Sequence, residues 1–266
     1  MVTALAAGRS DCGAPRVGPD GYEAGPGPAE RRDLHPDVLA RSVNGSKLAV
    51  FCDFDGTFSR QDVGGRLAQR HLPERRAALA IRYQKGEIDA WQYGVELFDG
   101  FSFSTAALDS FLSEIELDSG AKALLEWCQQ ADVPFRVLSD GFDYNIDKLQ
   151  RIHGVRFEHA SNRLRFEGDV WRVEAGGRNL ECPCGTGLCK RQQIEAYRRA
   201  RSDALCVHIG NGRVSDLCGA EAADIVFAKD TLSEALLERG IHFNAFETLQ
   251  DVAFLLDQWF GHTSAS

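Results

Sequence analysis

The chain has 266 residues, 44% of them hydrophobic and 26% charged, which is ordinary for a globular protein large enough to bury a core. A formal net charge of −9 and a pI near 5.3 argue against nucleic acid as the main partner, and no apolar run approaches the ~20 residues of a membrane span. Eight cysteines in a chain of this size do not call for a disulfide framework, so the expected compartment is the cytoplasm.

The first 45 residues, with Gly25-Pro-Gly-Pro28, are rich in glycine, proline and charge and read as a flexible extension. Leu48 to Phe54 is a short apolar run that predicts a buried strand, ending in Asp53 and Asp55 with Gly56 and Thr57 directly behind. Residues 61–117 read as a helical insert. Pro73 opens one helix that Gly86 closes, Ile88 to Phe98 forms another, and Ser104 caps a third. Asp118 or Ser119 caps the next helix, through Ala131. Strands at Val133–Leu138 and Val155–Phe157, a helix at Phe142–Ile152 ended by Gly154, and a hairpin over Asn162–Val173 follow. The remainder alternates: helix Lys190–Ala200, strand Leu205–Ile209, helix Asp216–Ala223, strand Asp224–Phe227, helices Thr231–Arg239 and Phe246–Trp259. Strands alternating with helices predict an α/β fold with a largely parallel sheet covered on both faces.

Four stretches at predicted element boundaries carry chemistry. Asp53 and Asp55 leave a strand at the end where α/β sheets bind ligands, although Asp-Gly is also a common turn. Ser139, followed by Asp140 and Gly141, is a hydroxyl suited to gripping an anionic oxygen, or simply a helix cap. Lys190 opens a helix, where its charge opposes the macrodipole. Beside two carboxylates it would relieve their repulsion and hold a phosphate; otherwise it faces solvent. Asn211 and Asp216, in Gly-Asn-Gly-Arg-Val-Ser-Asp, offer oxygens to a hard cation such as Mg2+, or form a plain turn.

Taken in order, these four stretches resemble the motifs of the haloacid dehalogenase superfamily over roughly 47–260. The insert after the first motif is similar to the cap of its phosphoserine phosphatase-like branch. Val137-Leu-Ser-Asp-Gly-Phe-Asp143 and Ala223-Asp-Ile-Val-Phe-Ala-Lys229 resemble a subgroup that includes a methionine-salvage methylthiopentenyl phosphate phosphatase. The resemblance implies a three-layer Rossmann-like core at 46–60 and 118–266 with a C1-type cap at 61–117. It implies a Mg2+-dependent phosphatase of a small-molecule phosphate ester, with no nucleic acid or membrane partner. Asp53 would be the nucleophile and Asp55 the general acid and base. Gly56, Thr57, Ser139, Asp140, Gly141 and Lys190 would bind phosphate, and Asp53, Asp55, Asn211 and Asp216 would hold the metal. The alternatives implied are a phosphotransferase using the same aspartyl-phosphate, or a phosphate-ester-binding protein with weak turnover. The last arises because the family usually has aspartate at the position of Asn211, where one negative charge is lost; Asp216 is expected to supply it.

Two secondary expectations concern other residues. Cys182, Cys184 and Cys189 could ligate zinc, but no fourth ligand stands at finger-like spacing, so they read first as a structural loop beside the site. Cys52, Cys128, Cys206 and Cys218 read as ordinary buried thiols, His153, His159 and His208 as core or surface residues. Arg66, Arg82, Tyr83, Lys85 and Trp91 are cap residues able to face a pocket.

Overall fold

Every second residue of β1 (Lys47–Cys52) faces a different apolar layer: Leu48, Val50 and Cys52 one, Ala49 and Phe51 the other. That is why the strand reads as an unbroken apolar run instead of alternating, and it requires helices on both faces of the sheet. The computed structural model describes residues 47–261; the expected extension at 1–45 lies outside the described residues. The described residues belong to one compact unit.

After β1 come α1 (Val63–His71), α2 (Pro73–Gln84), α3 (Ala90–Phe98), α4 (Thr105–Leu112) and α5 (Ala121–Gln130). Then follow β2 (Phe135–Phe142), α6 (Asp143–His153), β3 (Glu158–Glu167), β4 (Val170–Glu174), α7 (Lys190–Ala200) and β5 (Ala204–Gly210). The chain continues through α8 (Leu217–Ala222), β6 (Ile225–Ala228), α9 (Asp230–Glu238), β7 (Asn244–Ala245) and α10 (Leu249–Phe260). The seven strands lie in the order β4-β3-β2-β1-β5-β6-β7, all parallel to their neighbours except β4, which pairs antiparallel with β3. β1 sits between β2 and β5, where the strand order reverses, so the carboxyl ends of these three strands flank a crevice.

The caps explain the helix boundaries. Asp62 accepts from the Gly65 amide at 2.8 Å to start α1, Asp89 and Gln92 form a reciprocal capping box on α3, and Ser104 accepts from Ala107 at 3.1 Å to start α4. Asp118 does not cap α5 as expected. Its Oδ1 accepts from the amides of Gly120 and Leu249, tying the start of α5 to that of α10, and Gly120 is the residue at the helix boundary. The strand expected at Val155–Phe157 begins at Glu158 and runs on into the hairpin.

α1 to α5 lie between β1 and β2, and of these α1 to α4 fall within the stretch 61–117 expected as an insert. Their buried side chains, including Val63, Leu79, Phe98 and Leu112, belong to the same apolar cluster as Val50, Leu124 and Leu256. The β3–β4 hairpin secures the far end of the insert. Trp171, 1% exposed, exchanges backbone hydrogen bonds with Gly100 and Phe101, and its indole donates to Phe103 O at 2.6 Å. The start of α3 is held against the loop before α7: the Trp91 amide donates to Gly185 O at 2.8 Å, and Arg178 pairs with Asp89.

Candidate active site

At the end of β1 the chain makes a wide turn over Phe54–Phe58, in which the Phe58 amide reaches back to Asp53 O and that of Ser59 to Phe54 O. Buried Phe54 and Phe58 anchor the turn. Gly56 allows it: its φ of +79° suits glycine, and a Cβ there would lie 2.5 Å from Asn211 Nδ2. The turn brings Asp53 and Asp55, which a straight strand would leave on the same side but too far along it, to the wall of one cavity of about 630 Å³.

Asp53 is 3% exposed and accepts a hydrogen bond from Lys190 Nζ. Lys190, the first residue of α7, is completely buried, and its ammonium also donates to Asp216 at 2.5 Å. Burial would lower the lysine, but Asp216 and Asp53 outweigh it and raise it, so the ammonium is permanent. One ammonium serves two buried carboxylates, and one negative charge is left over. Asp216 takes the larger share: burial would raise it, but Lys190 and His208 hold it well below the usual carboxylate range. Asp53 is the loser, pushed up to about 8 by burial and by Asp216 against the pull of Lys190.

Asp55 accepts from the Val63 amide at 2.9 Å through Oδ1 and from Ser139 Oγ at 3.1 Å through Oδ2. Burial, reinforced by Asp62, raises it to about 7. Ser139 lies in a break of register between β2 and β3, and its Oγ also accepts from the Gly141 amide at 2.9 Å. Gly141 permits this close approach, since a Cβ would come within 2.6 Å of Asp55 Oδ2.

Several expected site residues are committed elsewhere. Asp140 lines the cavity, but its carboxylate accepts from the amides of Gly187 and Leu188 and from Asn162 Nδ2 and so organises the loop that leads to Lys190. The amide of Gly56 donates to Gln61 O at 3.2 Å, and the Thr57 hydroxyl donates to Asn211 Oδ1 at 3.2 Å. Asp216 does not offer the cation oxygen expected of it. Its Oδ1 accepts from Lys190 and from His208 Nε2, and its Oδ2 from the amides of Asn211 and Gly212. A carboxylate with this many donors, Ser215 Oγ at 3.5 Å among them, is a strut, and His208, expected to be an ordinary core or surface residue, is one of its supports. Of the cap residues considered, only Tyr83 lines the cavity. Arg82 pairs with Glu96, Arg66 and Lys85 lie near Glu114 and Glu87, and Trp91 packs against Gly187.

Three further residues border the cavity or the metal-side loop. Asn145 on α6 lines the cavity, is 3% exposed, and its Oδ1 has no protein partner. Asp62 lines it beside Asp55. Asp230, at the carboxyl end of β6, accepts from Asn211 Nδ2 at 3.3 Å. A carboxylate at a strand end was the available signal for Asp230; nothing in the sequence marks Asn145.

The Asp53 carboxylate, the Asp55 carbonyl and Asn211 Oδ1, which also accepts from the Thr57 hydroxyl, are hard oxygen donors that would suit a cation such as Mg2+. The uncompensated negative charge at Asp53 also fits a cation there.

The fold has solved counterparts. A HAD family hydrolase from Salmonella enterica subsp. enterica serovar Typhi superposes with a TM-score of 0.59 at 14% identity, covering 87% of this chain and 82% of that one. A phosphoserine phosphatase captured as a phospho-aspartyl intermediate analogue gives 0.58 at 17% identity, covering 78% and 97%. By sequence, the chain is 28% identical over 215 residues to a 2-hydroxy-3-keto-5-methylthiopentenyl-1-phosphate phosphatase of Bacillus pumilus (strain SAFR-032), covering 80% of this chain and 92% of the relative. The family profile for haloacid dehalogenase-like hydrolases matches residues 50–221, from the middle of β1 to α8 and so through Asp53, Ser139, Lys190 and Asp216. A match over well more than half of the chain, on a fold of the same kind, makes this protein a member of the haloacid dehalogenase-like hydrolases.

Proposed function

We propose that this hydrolase is a Mg2+-dependent phosphomonoesterase of a small phosphate ester, acting through an aspartyl-phosphate on Asp53. The observation that carries the reading is the convergence of Asp53 and Asp55 on one cavity, with Lys190 buried against the first and Ser139 against the second. An Asp53 oxygen attacks phosphorus while Asp55 gives its proton to the departing alcohol oxygen. Water then attacks the same phosphorus, Asp55 takes its proton, and phosphate and the Asp53 carboxylate are released. Bound between Asp53, the Asp55 carbonyl and Asn211, Mg2+ would offset the repulsion between carboxylate and phosphate. Lys190 steadies Asp53 by donating to it and is itself held by Asp216.

The wall contributed by the insert joins apolar Ala68, Ala80, Leu97 and Phe98 to polar Asp62, Arg76, Tyr83 and Gln84. The apolar part of this wall supports an ester with an apolar tail, as in the methylthiopentenyl phosphate of the Bacillus relative's name, while Asp62 and Arg76 are the groups that the ammonium and carboxylate of phosphoserine would pair with, so both ester types belong in the test. A cytoplasmic location accords with the seven free cysteines among the described residues, none of whose helices is long and apolar enough to cross a membrane. The direct test is hydrolysis of an aryl phosphate and then of a panel holding both ester types. Turnover with Mg2+, its loss in EDTA, and a kcat/KM at least about tenfold higher for the alkylthio ester support the reading. Affinity for the esters without turnover on any of them refutes it.

Asp55→Asn separates the two half-reactions. For an alkyl ester, kcat is expected to fall by roughly 10²–10⁴ because the leaving alkoxide goes unprotonated. A nitrophenyl ester needs no proton on leaving, so the variant should release one burst of nitrophenol per site and then stall as aspartyl-phosphate. Equal slowing of both esters with no burst would remove Asp55 from the acid role.

Asn211 sets the metal affinity. Asn211→Asp restores a charge to the cation but places it against Asp230, 3.3 Å away across the present hydrogen bond. Without Mg2+ the variant should melt lower than the parent. Its Mg2+-induced rise in Tm should be larger, with the Mg2+ Kd lowered about tenfold, equivalent to ~1.4 kcal/mol. An unchanged Kd by calorimetry would place the cation away from Asn211.

A further inference from the structure

Four cysteines outside this chemistry come together in the fold. The Sγ atoms of Cys182, Cys184, Cys189 and Cys218 all lie within 4.8 Å of one another. The first three stand on the loop between β4 and α7; the fourth comes from α8, which no sequence spacing connects to that loop. Cys182, Cys189 and Cys218 are buried, Cys184 half-buried, and none is in a disulfide.

Their surroundings differ from those of the other buried thiols. Cys52 and Cys128 belong to the main apolar core and Cys206 to the second layer, where a thiol acts as a small hydrophobe. The four clustered cysteines form a group whose buried members pack on one another, with no aliphatic or aromatic side chain among them. Hydrogen-bond donors surround the sulfurs. The Thr186 hydroxyl donates to Cys184 at 3.2 Å, with its own amide also directed there. At the start of α7 the Gln192 amide lies near Cys189 and the Arg191 amide near Cys218, and the Arg191 guanidinium lies near Cys182 and Cys218. Amides and positive charge around sulfur are what coordinated thiolates use to spread their charge.

We propose that Cys182, Cys184, Cys189 and Cys218 form a tetrathiolate site for a structural Zn2+ ion. Tetrahedral zinc with Zn–S bonds of about 2.3 Å places its sulfurs about 3.8 Å apart, so the thiols close in by no more than about 1 Å. Each thiol binds as thiolate and gives its proton to solvent. Four sulfurs complete the coordination shell and leave no position for substrate, which makes the site structural and distinct from the hard oxygen donors at Asp53. Cys189 immediately precedes Lys190, and Cys218 stands two residues past Asp216. The ion would therefore lock together the two segments that press Lys190 against Asp216, and the loop it closes also carries Gly185 and Gly187, on which the start of α3 rests.

The test begins with elemental analysis of the full chain, purified without chelator. One zinc and no iron per chain is expected. The Co2+-substituted protein should show intense sulfur-to-cobalt charge-transfer bands and the visible bands of a tetrahedral ion. Both metals should be lost in Cys218→Ser and retained in Asp53→Asn, which separates this site from the oxygen donors whatever becomes of the phosphatase reading. The unmodified protein supplies a second readout that does not depend on the folding of Cys218→Ser. Titration with a mercurial should release the zinc in step with four thiols, and peptide mapping should find those four protected from alkylation until the metal is removed. Failure to bind zinc when it is supplied, iron in its place, a disulfide among the four, or zinc retained after they are titrated would each overturn the proposal.

Discussion

Asp53→Asn is expected to lower kcat by on the order of 10⁴-fold or more while leaving the metal-free protein at least as stable as the parent. The catalytic loss follows from the missing nucleophile, since an amide oxygen does not attack a phosphate ester usefully. The stability follows from the charge count. Lys190 is shared by Asp53 and Asp216, so ionised Asp53 is a buried charge without full compensation. Its folded pKa of about 8 lies above the ordinary 3.8. Over that window the unfolded chain has released the proton and the native chain keeps it, so Asp53 makes stability fall as pH rises from about 4 to about 8. Asparagine preserves the acceptor for Lys190 and removes the penalty. Thermal melts from pH 5 to 8 in EDTA should show the parent losing more Tm than the variant. A variant that melts well below the parent at pH 8 would show that Asp53 is a stabilising partner of Lys190 and that the surplus charge lies elsewhere.

Lys190→Met should do the opposite to stability and the same to activity. Methionine fills a similar volume, but Asp53 and Asp216 then face each other in a buried site with no cation between them. Removing one partner from a buried ionic group costs about 3–5 kcal/mol, which for a chain of this size is a drop in Tm on the order of 10 °C. Mg2+ should recover part of the loss by neutralising Asp53. A second substitution, Asp216→Asn, should recover more, because it removes the carboxylate that depended on Lys190 most. Neither restores turnover, since Asp53 is no longer steadied by the Lys190 ammonium. The check is a set of melts on the two variants with and without Mg2+, read beside kcat. A Lys190→Met protein as stable as the parent would mean that the ammonium does not hold the two carboxylates together.

The two predictions rest on residues of different legibility. Asp53 and Asp55 could be read from the chain because a buried strand that stops in carboxylates is a local signal, and the turn that aims them is made by adjacent residues. The same holds for the helix ends at Ser104 and Gly154 and for the hairpin around Gly168-Asp169, each fixed by hydrogen bonds within a few positions. The order of strands and helices then made the covered parallel sheet the only arrangement able to bury both faces of runs such as β1 and β5.

What a polar group does once buried is settled by whichever partner arrives first from elsewhere, and that was beyond local pattern. Asp216 stands five residues from Asn211 and looked like its companion on the metal; Lys190 and His208 take one of its oxygens and the backbone of its own loop the other. Asp140 beside Ser139 looked like part of a phosphate grip, yet the amides of Gly187 and Leu188, some 47 residues on, use it as their anchor. The cysteine loop shows three thiols to the sequence and four to the fold, because Cys218 reaches it only when α8 packs beside α7. The sequence alone determined the elements, their order and the two aspartates, all products of short-range hydrogen bonding and apolar periodicity. The tertiary structure decided which charges are shared, which hydroxyls and amides are already spent, and which sulfurs meet, because burial obliges every polar group to find a partner and only the folded chain says which partners are within reach.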